Sequence, residues 1–214
     1  MNIPKEWTFK TAEVATGFDN HVRMQLPWYE LTTGVVAHIA RHYIPEGGLV
    51  YDIGASTGNI GLAIKDTLES RKARLVAIDN SQDMVNLYAG PGDIVTANAE
   101  EFDFQEYDFA VLFLCLMFIS PSKRADLMKK LRAKVRPGGA IVVFDKCVPA
   151  TGYVATILSR LTIAGKVSAG VDAKEIVSKE LSLSGIQRPI AVSEIEPAIE
   201  VFRFGDFAGW IIEG

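Results

Sequence analysis

The 214-residue sequence predicts an α/β fold, a doubly wound sheet of seven strands whose last two form an antiparallel hairpin at the C-terminal end. Three observations carry this expectation. Short apolar runs alternate with stretches whose apolar residues recur every three or four positions, the order that builds a parallel sheet with helices on both faces. Two of those runs, Leu49–Ile53 and Leu75–Ile78, deliver a carboxylate to their carboxyl end, Asp52 and Asp79. The last two runs, residues 199–204 and 207–212, flank Gly205-Asp206, a turn pair between strands.

Each element has its own signal. Residues 29–43 set Leu31, Val35 and Ile39 four apart beside Val36, Ala40 and Tyr43, one apolar helical stripe, and Pro45-Glu46-Gly47-Gly48 stops it. Strand one is followed by a helix over 59–70 with Ile60, Ala63, Ile64 and Leu68 on one side. After strand two, a short helix over 83–87 leads to Pro91-Gly92, which turns the chain into strand three, residues 94–97. Strand four spans 109–114. Ser120 then caps a helix with Pro121 at its first position, and Leu127, Leu131 and Val135 line its buried side. Pro137-Gly138-Gly139 ends that helix, and strand five, residues 140–144, is β-branched and apolar. Residues 1–28 form an N-terminal arm. Residues 150–190 carry two helical stretches, 153–161 and 172–183, separated by 165–170, and read as a lid, a dimer element or a plain surface insertion within a single domain over 1–214.

Composition narrows the function. A net charge of −4 argues against a broad basic surface for nucleic acid. Cys115 sits inside an apolar run and Cys147 just after another, so both read as small buried hydrophobes rather than a disulfide or zinc framework. The longest apolar run, residues 109–119, is far below the ~18 residues of a membrane span. The N-terminus lacks the apolar core of a secretion signal, which makes the cytoplasm the expected location.

The chemistry concentrates after strand one. In Gly54-Ala55-Ser56-Thr57-Gly58 the small side chains let the backbone approach a ligand closely. A dinucleotide fingerprint needs G-x-G-x-x-G, whereas the spacing here is G-x-S-x-G-x-x-G, which argues against a pyrophosphate on the helix N-terminus. Asp52 can orient backbone N–H groups or attract a ligand ammonium. Asp79 suits the two hydroxyls of a ribose or the cap of the next helix, a task Asn80-Ser81 can also perform. Asn98-Ala99-Glu100, after strand three, offers polar groups to an adenine edge. His21, near Asp19, Arg23 and Tyr29, is a candidate general base or a solvated arm histidine. His38 and His42 have the spacing of one metal face, but without a third ligand they read as structural, and no metal is expected. Lys123-Arg124 and Lys129-Lys130 read as the solvated side of their helix.

Together VYDIGASTG, VAIDNSQDM, TANAEEF, YDFAVLFLCLMFIS and LRAKVRPGGAIVVFDK resemble the class I S-adenosylmethionine-dependent methyltransferases. The resemblance implies a Rossmann-like methyltransferase sheet with S-adenosyl-L-methionine as cofactor. By it, Asp52, Gly54, Ser56 and Gly58 surround the methionine part, Asp79 holds the ribose, and Asn80, Asn98 and Ala99 meet the adenine. Ser56 stands where most relatives carry a central glycine. A narrower similarity runs over nearly the whole chain, to the carboxy-S-adenosylmethionine synthases of tRNA wobble-uridine modification. It rests on Trp7-Thr8-Phe9, Leu26-Pro27-Trp28-Tyr29, Asp79-Asn80-Ser81, Phe118 to Arg124, Lys166 to Gly170, Glu175-Ile176 and Phe204-Gly205. It implies that Tyr29 helps close the cofactor pocket, and it implies a homodimer.

Two positions depart from that narrower pattern. The arginine that receives the transferred carboxylate falls on Glu180, and an asparagine near the end of strand four becomes Phe113. A ligand carboxylate would meet another carboxylate at Glu180, with Arg188 or Lys179 as the available substitutes. The leading expectation is therefore methyl transfer to a small-molecule or tRNA-related acceptor. Carboxy-S-adenosylmethionine synthesis and a non-catalytic S-adenosylmethionine-binding module are the alternatives. His21 and Tyr29 are the catalytic candidates. The amino-methylating DNA motif is absent after strand four, where Leu114-Cys115-Leu116 stands, so DNA is not an expected substrate.

Overall fold

The computed structural model describes residues 3–148 and 151–214. The start of the arm, Met1-Asn2, and Ala150, where the sequence places the start of the insertion, lie outside the described residues. The sheet comprises β1 (Leu49–Ile53), β2 (Arg74–Asp79), β3 (Asp93–Thr96), β4 (Tyr107–Phe113), β5 (Val135–Lys146), β6 (Ile199–Phe204) and β7 (Phe207–Glu213). Its order is β3-β2-β1-β4-β5-β7-β6. Strands β1 to β5 run parallel, β7 lies antiparallel beside β5, and β6 pairs antiparallel with β7 as the predicted hairpin. The order reverses between β1 and β4, where ligands of open α/β sheets bind.

Strand alternation sends successive side chains to opposite faces and so divides the core in two. Tyr51, Ile53, Leu112 and Trp210 face α6 (Pro121–Arg132), which contributes Leu127, Met128 and Leu131. Val50, Phe109, Val111 and Phe144 face the other way, against Val36, Ile39 and Ala40 of α2 (Tyr29–Tyr43). Every residue of β1 and β4 is buried, as strands covered on both sides require.

Several local expectations are corrected. The arm holds a helix, α1 (Ala12–Gln25), with Val14, Ala15 and Val22 buried. The helix over 59–70 divides into α3 (Asn59–Ala63) and α4 (Lys65–Ser70), broken at Ile64 where φ is −96° and ψ 2°. The short helix is α5 (Gln82–Val85), capped by Ser81, whose hydroxyl accepts the Met84 N–H at 3.3 Å. Ser120 precedes α6 without capping it; its hydroxyl instead pairs with that of Ser122 at 3.1 Å. Val135 opens β5 opposite Tyr107 rather than closing α6, and Pro137-Gly138 forms an excursion before pairing resumes at Ala140 opposite Phe109. The predicted break at Gly165 is absent: α7 (Tyr153–Ser168) runs through it, and α8 (Ala173–Ser182) follows. A Cβ at Gly165 would lie 2.9 Å from the Phe204 ring, so this glycine serves close packing on β6 rather than a turn.

The expected solvated charge run holds at Lys123 and Lys129, which are exposed, and is corrected at Arg124 and Lys130. Arg124 is 1% exposed, donating to the Ile119 carbonyl at 3.0 Å and to Glu194 at 3.1 Å, and it ties α6 to the segment before β6. Lys130 donates to the carbonyls of Glu100 and Phe102 at 2.9 and 3.1 Å. Among the described residues no helix is long and apolar enough to cross a membrane.

Candidate functional site

A cavity of about 210 Å³ opens at the carboxyl ends of β1, β2, β4 and β5, beneath α1 and α8. Its floor is the turn after β1. Backbone N–H groups of Gly54 and Ala55 both donate to the Ile78 carbonyl, at 2.8 and 3.0 Å, which carries the β1–β2 pairing into the loop. Ser56 holds φ +52°, an uncommon value for a residue with a side chain, and is clamped where its N–H donates to Asp79 Oδ2 at 2.8 Å. The second Asp79 oxygen accepts the Ser81 N–H at 2.8 Å. Asp79 is thus fixed by two backbone donors while helix capping falls to Ser81.

Asp52, Gly54, Ser56, Asp79, Asn80, Ala99, Tyr29 and Phe113 line the cavity. Gly58 and Asn98 stand outside its lining. Gly58, at φ +96°, lies directly under Gly90, whose nitrogen would be 2.5 Å from an added Cβ. Asn98 accepts from Asn80 Nδ2 at 3.2 Å and orients it from behind. The Ser56 hydroxyl is directed to Met84 Sδ at 3.4 Å. Tyr29 packs edge-on against Phe113 at 5.5 Å, and burial raises its hydroxyl pKa above the ordinary tyrosine value.

Asp52 is 1% exposed, and its Oδ2 is buried without a hydrogen-bond partner. Burial pushes its pKa up to about 7, against the opposing backbone N–H of Gly61, and the nearby Asp79 adds to the rise. A buried acceptor facing a cavity lacks a donor. Burial likewise pushes Asp145, at the end of β5, up to about 7. It accepts the Met117 N–H at 3.2 Å and so holds the loop after β4 in place.

The arm closes the cavity. Asp19 of α1 accepts from Thr57 Oγ1 at 2.6 Å and from Asn59 Nδ2 at 2.7 Å, fastening the helix to the floor loop. Trp7 donates its backbone N–H to Ser182 of α8 at 2.9 Å. His21, expected to be a base or a solvated residue, is buried and stacked on Trp7 with centroids 5.5 Å apart.

At the far end, Lys146 and Lys166, to which the sequence assigned no part, join Glu180 and Lys179. Glu180 pairs with Lys166 at 2.9 Å and with Lys146 at 3.2 Å. Burial would raise its pKa, but the two lysines outweigh burial and lower it. Lys179 lines the cavity with its ammonium over the Trp7 ring, and burial, then Lys166, pushes it down to about 5. Arg188, the other substitute considered for the missing arginine, is exposed and does not line the cavity. The signal for these lysines was the alternation of Lys166, Lys179 and Glu180 around one helix pair, which a single sequence does not join to Lys146. Cys115 and Cys147 are free thiols, Cys147 buried, and His38 and His42 lie exposed with no metal-binding cluster among the described residues.

Residues 50–139 match the family model described as a methyltransferase domain. The fold and this domain match are similar to those of class I, S-adenosylmethionine-dependent methyltransferases. The chain is 27% identical over 212 residues to the carboxy-S-adenosyl-L-methionine synthase of Staphylococcus epidermidis, covering 97% of this chain and 92% of that one. It is 28% identical over 207 residues to the enzyme of the same name from Shewanella pealeana, covering 92% and 85%. Among solved structures, the plantazolicin methyltransferase BpumL in complex with SAH superposes with a TM-score of 0.63 at 13% identity, over 94% of this chain and 89% of that one, a likeness of fold.

Proposed function

We propose that the protein transfers the methyl group of S-adenosylmethionine to a small-molecule or tRNA-related acceptor, rather than building a carboxylated cofactor. When bound, the cofactor supplies an electrophilic methyl group. Asp52 receives its ammonium on the unpartnered Oδ2, and Gly54 and Ser56 pass beside its methionine part. Asp79 accepts from the ribose hydroxyls, and Asn80, oriented by Asn98, meets the adenine together with Ala99. Tyr29 and Phe113 shut the side of the pocket nearest α1 and exclude water. Positioning in a dry site supplies much of the rate enhancement of such a displacement.

The observation that carries methyl over carboxyl transfer is the seating of Glu180 on Lys146 and Lys166. The Glu180 carboxylate already occupies both lysines and offsets part of their charge, so a ligand carboxylate would have to compete with it for them. The second reading, carboxy-S-adenosylmethionine synthesis, is supported by the names of relatives that match nearly the full chain. Calorimetry with both cofactors tests the choice. The proposal expects S-adenosylmethionine to bind at least about tenfold more tightly than its carboxylated form, and the reverse order would overturn it.

The exposed apolar face of α7, with Tyr153, Val154, Ile157 and Leu161, supports a homodimer, continuing toward exposed Ile199 and Val201 of the edge strand β6. Sedimentation of the wild type against Ile157→Glu is the test; a monomeric wild type would refute it. Two free thiols fit the reducing cytoplasm as the location.

A further inference from the structure

Besides Asp52 Oδ2, two buried polar atoms of cavity-lining residues have no partner within the protein: His21 Nε2 and Gln25 Oε1. They stand one helical turn apart on α1, and both residues line the cavity beyond the cofactor residues. Their remaining polar atoms face the same carboxylate. Gln25 Nε2 donates to Glu175 Oε1 at 2.9 Å, and His21 Nδ1 lies 3.8 Å from that oxygen. A carboxylate only accepts, so it turns the amide NH₂ and the protonated imidazole nitrogen toward itself. What remains pointing away is a pair of acceptors, both lacking a donor. The surroundings are aromatic: Trp7 stacks on His21, while Phe9 and Phe118 meet edge-on at 4.9 Å across the same cavity.

We infer that His21 Nε2 and Gln25 Oε1 form the acceptor subsite, and that it takes a hydroxyl or amine carried on an apolar or aromatic frame. This rests on the methyl-transfer reading above. The acceptor's O–H or N–H donates to the pair, which leaves its lone pair free to attack the methyl carbon. The carbon–sulfur bond breaks, its electrons stay on sulfur, and the new bond joins carbon to oxygen or nitrogen. With a hydroxyl acceptor the proton released from the strongly acidic oxonium passes to His21 Nε2; with an amine it is retained or lost to solvent. Glu175 is a positioning residue: its hydrogen bond fixes the Gln25 amide, and its charge 3.8 Å from Nδ1 favours the imidazole tautomer with its hydrogen there. Burial, the largest cause, pushes His21 down to about 4, so the imidazole is neutral and able to accept near pH 7. Among the charged groups of α7 and α8 packed around it, Glu180 is consumed by Lys146 and Lys166.

The test uses protein saturated with S-adenosylhomocysteine and three probes of similar size: 2-phenylethanol, 2-phenylethylamine and 3-phenylpropionate, titrated by NMR chemical shift. The alcohol or the amine should bind at least about tenfold more tightly than the propionate, as expected when an unmet buried acceptor gains its donor. Which of the two binds distinguishes oxygen from nitrogen acceptors. The double variant His21→Phe/Gln25→Leu keeps the stack and the volume, and should reduce that preference below about threefold while leaving S-adenosylhomocysteine affinity unchanged. Equal or tighter propionate binding, a preference that survives the double variant, or no binding by any probe would overturn the subsite. Failure of S-adenosylhomocysteine itself to bind would count against the methyl-transfer reading instead.

Discussion

Cofactor affinity should depend on pH through Asp52. The carboxyl is buried at 1% exposure with a pKa pushed up to about 7, and the ligand ammonium requires its ionised form. At pH 7.5 roughly three-quarters of the free protein carries the charge, and at pH 5.5 roughly 3%, so affinity should fall about 25-fold between them. Calorimetric titration of S-adenosylhomocysteine in two buffers of different ionisation enthalpy measures both the affinity and the proton released on binding. The same shift has a stability consequence of definite sign. A folded pKa above the unfolded value contributes stability that is full below about pH 4 and lost as pH rises through about 7. Asp52→Asn should therefore stabilise the free protein at pH 8, by at most about 4 kcal/mol, with the difference vanishing below pH 4, while weakening cofactor binding. Affinity that is flat from pH 5.5 to 7.5, with no proton released, would refute the assignment.

Three other substitutions probe separate parts of the structure. Asp79→Ala should weaken S-adenosylhomocysteine binding at least tenfold, because hydrogen bonds to a charged acceptor contribute about 1.5 to 3 kcal/mol each; unchanged calorimetric affinity in a folded variant contradicts the ribose role. Glu180→Gln removes the carboxylate that competes for Lys146 and Lys166, and should raise affinity for the carboxylated cofactor about tenfold, a modest figure because Glu180 is 42% exposed. Arg124→Ala leaves the Ile119 carbonyl and Glu194 without their buried partner, and should cost about 3 kcal/mol or more, lowering the melting temperature by roughly 6 to 12 °C. A melting temperature within 1 or 2 °C of wild type would show that Arg124 is dispensable.

Much of the sheet and the cofactor end of the site was legible because both depend on local signals. Each central strand is a contiguous apolar run, and Asp52, Gly54, Ser56 and Asp79 lie within two strand ends whose adjacency follows from the β1–β2 register. The helix in the arm was missed although Val14, Phe18 and Val22 recur every four residues, because Gly17 and the polar residues between them diluted the stripe. The acceptor end was illegible for a different reason. Gln25 and Glu175 are 150 residues apart and meet only because α8 packs over α1, and Lys146 at the end of β5 meets Glu180 of α8 across 34 residues. Arg124 misled because a charged residue on a helix is read as solvated until a neighbouring loop supplies carbonyls and a carboxylate to bury it.

The central claim is that this cavity holds S-adenosylmethionine and transfers its methyl group. Mass spectrometry of the small molecules released on denaturing freshly purified protein tests it most directly. The account predicts S-adenosylmethionine or S-adenosylhomocysteine, and their loss in Asp79→Ala. A bound species heavier than S-adenosylmethionine by one carboxyl group would contradict it, and would mean that Glu180 yields Lys146 and Lys166 to a ligand carboxylate.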